Sequence, residues 1–490
     1  MKKVYRIIKS LRGMVGLGIL TLLFITTVIP AIAIEKPAIG NKTASRLLIK
    51  GKVAYESGKF SQAEEYWELA EHKFEQYGDR PHQALSLNYL SLANQELGKW
   101  QEADQYIDAS LKLLQSTSTP KVLAQALNTQ GNLRLSLGDG ESALASWSSA
   151  EEIYRKVNDH LGIMGSKLNQ AQALQQLGLY RRSQKMLEQL ETELDREANP
   201  QMRVMGLRSL GNALQVAGDL EQSQAVLKES LSIAQELNLP QETSSILFSL
   251  GNTARSLHSY EAAIAFYEQA AARSTDSLTK VEAQLNQLSL LSRLEKPQIA
   301  EELISQVQSE LVSLVPSRRS IYARVNLAKN LIDFNQHPAQ TQKLLEKTIA
   351  QAQVIKDARG ESYGLGILGR LDKQQQNLET AKQHTEAALL LATQINAEDI
   401  IYQWQWQLGR ILQQQGDLQG AISAESGAVD SLEKIRGDLV AINPDAQYSF
   451  RESVEPIYGD LVGLLVSSNP DQDNLIQARD AMSVPLTTQQ

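Results

Sequence analysis

The stretch Leu97-Gly98-Lys99-Trp100-Gln101-Glu102-Ala103 sets an aromatic two residues after a glycine and an alanine five residues after it. The same grammar returns forty residues later, loosened at the aromatic, as Leu137-Gly138-Asp139-Gly140-Glu141-Ser142-Ala143. Glycines stand at Gly58, Gly98, Gly138, Gly178 and Gly218, each forty residues after the last. The phase continues through His258, slips to Glu295 and Asn335, passes Gln376 and ends at Gly416. Gly and Asn tolerate the positive φ at which a helix stops, so these ten positions read as turns.

Seven residues before each turn stand Gly51, Ser91, Gly131, Ala171, Gly211, Gly251, Leu288, Ala328, Gly369 and Gly409. Five residues after it stand Ala63, Ala103, Ala143, Ser183, Ser223, Ala263, Ala300, Gln340, Ala381 and Ala421. Small side chains in both columns let two helices approach closely; Leu288 and Gln340 break the pattern. Bulky residues follow nine positions after the turn, including Trp67, Ile107, Trp147, Leu187, Leu227 and Tyr267. Pro81, Pro120, Pro200, Pro240 and Pro316 lie 17 to 19 residues before a turn, and Pro297 and Pro338 two or three after one. Those spacings suit the first turns of two helices, where a missing N–H costs nothing. The chain is therefore predicted to be all-α, a solenoid of about ten helical hairpins over residues 44–430.

These columns resemble the tetratricopeptide repeat. Leu97-Gly98-x-Trp100-x-x-Ala103 and Leu257-x-x-Tyr260-x-x-Ala263 carry its turn and following aromatic, and Leu250-Gly251 and Leu408-Gly409 its small residue in the first helix. The family's usual period is about 34 residues, and six more amount to about 9 Å of extra helix. HEAT-type repeats have a period near 40 but lack this Gly–aromatic–Ala turn.

From Ser431 the period is lost. A helix is expected to continue to the break at Asn443-Pro444, and residues 431–482 read as a helical connector, with 483–490 an unstructured tail. Asp438-Leu439-Val440-Ala441-Ile442-Asn443-Pro444, Phe450-Arg451-Glu452-Ser453-Val454-Glu455-Pro456 and Asn474-Leu475-Ile476-Gln477-Ala478-Arg479 resemble the segment that precedes a CHAT domain, a caspase-like peptidase, in cyanobacterial tetratricopeptide proteins. In that family the chain runs on into the peptidase. Here the pattern dissolves at Met482-Ser483-Val484-Pro485, and no cysteine is present to serve as nucleophile. Alternatives to a binding scaffold are accordingly the recognition half of a truncated peptidase, or an inert gene remnant.

At the other end, Lys2, Lys3, Arg6, Lys9 and Arg12 precede an uncharged run from Gly13 to Ile34 that closes on Ala31-Ile32-Ala33. A basic start, an apolar middle and a small–x–small end make residues 1–33 a secretory signal, cut after Ala33. The alternative is a retained anchor over residues 13–34, long enough to cross about 30 Å of hydrocarbon. Either reading exports the rest of the chain, to the periplasm, the exterior or the outer side of the inner membrane.

Composition narrows the chemistry. The chain has net charge −8 although its first 33 residues are purely basic, which disfavours nucleic acid or an anionic surface as partner. Absence of cysteine removes disulfides and thiolate metal sites. The six histidines, His72, His82, His160, His258, His337 and His384, are scattered without a His-x-x-x-His pair, so neither metal nor cofactor is expected. Gly364-x-Gly366-x-x-Gly369 matches a dinucleotide fingerprint only formally, because no strand precedes it. Trp404 and Trp406 read as core, and paired acids such as Glu64-Glu65 as solvated helix surface.

The family resemblance implies that the first helix of each hairpin lines a concave groove. Columns ten, six and three residues before each turn would face it. None of those thirty positions is Asp or Glu, while seven are basic. The expected site is a polar, basic groove holding an extended peptide or partner with acidic groups. Asn88, Asn132, Asn212 and Asn252 would pair with its backbone; Arg208, Arg255, Lys329, Arg370 and Arg410 would supply positive charge. No enzymatic activity is expected.

Overall fold

The computed structural model describes residues 42–115, 119–177, 179–197, 199–440 and 456–466. Every regular element among them is an α-helix. Twenty helices form ten hairpins, from Lys42–Glu56 with Phe60–Gln76 to Glu398–Gln415 with Leu418–Val440, and a further helix spans 456–466. Most of the twenty are 17 residues long, or about 25 Å. The leader and residues 467–490, with the expectations placed on them, lie outside the described residues, as does much of the connector.

Local chemistry sets the helix limits. Nine of the ten turn positions hold φ between 53° and 85°, including His258, Glu295 and Gln376; the tenth, Gly178, is outside the described residues. At helix starts, Asp139 accepts from Ser142 N–H at 3.0 Å, Asp159 from Gly162 N–H at 3.0 Å and Asp276 from Thr279 N–H at 2.8 Å, each satisfying a donor with no partner inside the helix. Six of the seven prolines named above occupy first or second helix positions; Pro316 does not. It stands two residues ahead of the helix Arg318–Asp333, whose cap is Ser317.

Within a hairpin the bulky residue nine after the turn crosses over the small residue seven before it. A Cβ on Gly51 would come within 2.3 Å of the Trp67 indole, one on Gly131 within 2.5 Å of Trp147, and one on Gly251 within 2.6 Å of the Tyr267 ring. The two indoles also donate to helix carbonyls, Trp67 Nε1 to Leu48 O and Trp147 Nε1 to Asn128 O, both at 3.1 Å. Gly364, Gly366 and Gly369 serve the same purpose against Ile349, Trp404 and Thr385 inside the helix Ala358–Gln374, so their spacing reports packing. Trp404 and Trp406 are buried, as expected of core residues.

Both phase slips have a local cause. The second helix of the sixth hairpin, Tyr260–Arg273, is 14 residues long, three shorter than most. In the eighth hairpin His337 adopts a second left-handed conformation at φ 51° and delays the helix to Pro338. The small-residue column consequently moves from Gln340, which is exposed, to Thr341, which is buried.

First helices of consecutive hairpins pack directly on one another, as between the seventh and eighth or the eighth and ninth, whereas second helices pack chiefly on first helices. The first helices therefore form the inner layer of a curved array. The curvature brings its ends together. The buried Arg318 guanidinium donates to Asp357 Oδ1 at 3.1 and 3.0 Å, to Glu96 Oε2 at 3.1 Å, and lies 4.5 Å above the Phe60 ring. Arg318 N–H donates to Gly58 O at 3.3 Å, and Lys356 pairs with Glu65 at 3.6 Å. Hairpins one and two thus meet hairpins eight and nine along a seam.

Candidate functional site

The column six before each turn holds Lys52, Leu92, Asn132, Gln172, Asn212, Asn252, Ser289, Lys329, Arg370 and Arg410. All are polar except Leu92, and those nine are half-buried beside small residues that are buried or nearly so. Exposure of that degree on the inner layer gives a continuous polar strip along the array. Asn132, Asn212, Asn252, Lys329, Arg370 and Arg410 lie on it.

The column ten before the turn behaves differently. Asn88 is 2% exposed, and Leu48, Leu285, Val325 and Trp406 in the same column are buried too. These residues sit one helical turn deeper, against a neighbouring helix, so Asn88 does not line the strip as the spacing predicts. Arg208, in that column, remains half-buried and places Nε 3.5 Å from Glu242 Oε2.

The positive charges are not spread evenly. Arg255, Lys329, Arg370, Lys373 and Arg410 act on one another. Burial, then Arg370 and Arg255, pushes Lys329 down to about 8, against the pull of Asp333. Burial, then Arg410 and Arg370, pushes Lys373 down to about 8. The structure thereby gathers four of the predicted residues on hairpins six and eight to ten, whereas Asn88, Asn132, Arg208, Asn212 and Asn252 are distributed over hairpins two to six.

Acids outside the three columns reach this strip. Arg370 pairs with Asp333, and Arg410 approaches Asp460 at 3.9 Å while lying 5.1 Å over the Trp406 ring. Arg255 Nη1 donates to Asn286 Oδ1 at 3.2 Å, and Asn252 Oδ1 accepts from Tyr267 Oη at 2.7 Å. An acid-free set of thirty positions is therefore not an acid-free face. The reading by columns missed Asp333, two residues before its turn, and Asp460, which belongs to the helix 456–466 beyond the repeat.

It also missed Glu425. This residue stands nine after the turn, where the first six hairpins carry large apolar side chains, and it is fully buried with no hydrogen-bond partner for either oxygen. Burial, then the Asp460 charge, pushes its carboxyl up to about 8, while Arg410 and Lys373 pull the other way. Loss of an apolar residue at a fixed repeat position was the sequence signal that could have exposed it.

Among the described residues, Glu71, His72 and Glu75 could bring three ligand atoms within 4.8 Å of one another, and two of the three are exposed. No described helix is long and apolar enough to cross a membrane. Glu65 is exposed, as expected, and meets Lys356 at 3.6 Å, whereas Glu64 is largely covered and meets Lys99 at 2.8 Å.

Residues 203–276 match the tetratricopeptide repeat family, a span covering most of hairpins five and six. No curated protein matches the chain. Among solved structures it is similar to the apo form of the quorum sensor NprR from B. thuringiensis, at 13% identity over 80% of this chain and 93% of that one, with a TM-score of 0.41. It is also similar to a Rap protein complexed with competence and sporulation factor, at 15% identity over 68% and 98%, with a TM-score of 0.37. BtubC from P. vanneervenii aligns at 15% identity over 56% and 90%, with a TM-score of 0.30.

Proposed function

We propose that this chain is a non-catalytic scaffold whose inner face captures a peptide or partner protein bearing acidic groups. One observation carries the reading. Nine of ten positions in the column six before the turn are polar and half-buried, although they border the tightest packing in each hairpin. Their accessible ends leave donors and acceptors facing the inner surface, where an extended ligand can take them up.

Asn132, Asn212 and Asn252 can each offer a donor and an acceptor to an extended backbone. Lys329, Lys373, Arg370 and Arg410 form the cationic end. Burial, then the neighbouring guanidiniums, depresses Lys329 and Lys373 to about 8, and an entering carboxylate adds an attraction that favours their charged forms. Arg370 and Arg410 would exchange Asp333 and Asp460 for the ligand's acid, so these two acids keep the empty face neutralised. The CHAT-associated connector, the signal segment and export to the periplasm or exterior belong to the same proposal.

The test is capture from an extract of the source compartment by the immobilised parent chain and by Arg370→Ala/Arg410→Ala. Charge-assisted bonds of about 1.5–3 kcal/mol each put the expected loss of affinity for the recovered partner at tenfold or more, larger at low salt. Equal capture by the double variant would remove the inner face from consideration.

A further inference from the structure

We propose that the seam is a latch held at Arg318, by which the array exchanges between a closed superhelix, its turns in contact, and an open one. The Arg318–Glu96 bond joins residues 222 apart in sequence, while the extensive helix packing runs from neighbour to neighbour or next neighbour. The seam is thus the place where one superhelical turn touches the next.

Its chemistry differs from every joint along the array. Successive hairpins share apolar cores. One core spans the first two hairpins and another the eighth to tenth, and no described apolar cluster crosses between them. What crosses is one guanidinium, one backbone bond, a ring face, the exposed pair Lys356–Glu65 and the close approach of the Gly98 turn to Ile395. Parting the seam therefore uncovers the Phe60 ring face and Ile395 rather than a shared core, and the polar cost falls on Arg318.

That cost is all-or-none. Arg318 is 4% exposed, and its guanidinium is divided between Asp357 on its own side and Glu96 and Phe60 on the other. A buried charge tolerates a full set of partners or full hydration, and an intermediate separation provides neither. Two packings of one joint, each internally satisfied, form a bistable element.

For a ligand the two states differ in topology. The closed superhelix admits to its inner face a chain end passing along the axis; the open one also admits a folded partner from the side. This use of the latch rests on the proposed inner-face function, but the latch itself does not.

Because the chain has no cysteine, Glu65→Cys and Lys356→Cys place spin labels across the seam at two exposed sites without a background thiol. Double electron–electron resonance on the full chain should give a predominantly short distance. Adding Arg318→Ala should raise the ratio of long to short distances at least tenfold and enlarge the radius of gyration by small-angle scattering at unchanged helix content. Bridging the two cysteines with a short bis-maleimide should return the radius to the parent value. Should Arg318→Ala lose helix, Glu96→Gln with Phe60→Leu keeps the Asp357 pair and is judged by the same criteria. Unchanged distances and radius in a helical variant overturn the latch. Partner capture does not enter the measurement, so failure here leaves the inner-face proposal standing, and the reverse.

Discussion

Replacing Glu425 by leucine should make the end of the array more stable and remove a pH dependence that the parent carries. The residue fills the slot given to Leu187 and Leu227 in hairpins four and five, and both of those are buried. Beneath it, a Cβ on Gly409 would meet Glu425 Cγ at 2.4 Å, so the side chain packs on the glycine as the apolar residues of other hairpins do. The carboxyl rises from 4.5 to about 8 on folding, which amounts to about 4–5 kcal/mol of stability held by the protonated form. The sign follows directly. A raised acid binds its proton more tightly when folded, so its contribution is complete below pH 4.5, declines as pH rises and is gone above about 8. The decline should be local, because repeat arrays transmit stability mainly to neighbours. Hydrogen exchange of the helices Glu398–Gln415 and 456–466 should therefore speed up between pH 5 and 8 beyond the intrinsic chemical rate. In Glu425→Gln that excess should vanish, and in Glu425→Leu it should vanish while protection at pH 8 increases by at least about 4 kcal/mol, the relieved charge with the burial of an apolar side chain added to it. A parent and a leucine variant with parallel pH profiles would show that Glu425 is solvated, and the placement of hairpin ten would be wrong.

Gly131→Ala should cost about 1–3 kcal/mol by overpacking, since its Cβ would fall 2.5 Å from Trp147; an unchanged melting curve would contradict the crossing. In the eighth hairpin Gln340→Leu should be nearly neutral and Thr341→Leu destabilising, a contrast that thermal melts can check and that the unshifted repeat phase would reverse. Mass spectrometry of chain expressed in an exporting host should find the mature N-terminus at Ile34, and soluble chain retaining Met1 would refute processing.

Architecture was legible because hairpin packing is enforced at every repeat. A turn needs positive φ and a crossing needs a small residue, so Gly58, Gly98, Gly138 and Ala63, Ala103, Ala143 leave a period in the sequence. Even His258, Glu295 and Gln376, chemically unlike glycine, were placed correctly by phase. The shift from Gln340 to Thr341 was not legible, because one extra residue at His337 changes the register of the helix without changing its composition. On the inner face, counting columns located the half-buried strip but not its counter-charges. Asp333 and Asp460 reach Arg370 and Arg410 from outside the columns, and such approaches depend on how one hairpin is rotated against the next. The seam was invisible for the same reason. Periodicity within one chain segment says nothing about which two distant segments the accumulated curvature will join.

That junction alters how the molecule should come apart. A linear array has two free ends, and its terminal units, with a neighbour on one side only, are the first to fray. Here the leading unit, Lys42–Gln76, is held from behind by Arg318 and Lys356, so that end has neighbours on two sides while hairpin ten lies beyond the junction. Melting should then begin inside the array rather than at residue 42. The joint between hairpins six and seven is the natural starting point, because a helix of 14 residues there has one turn less to offer its neighbours.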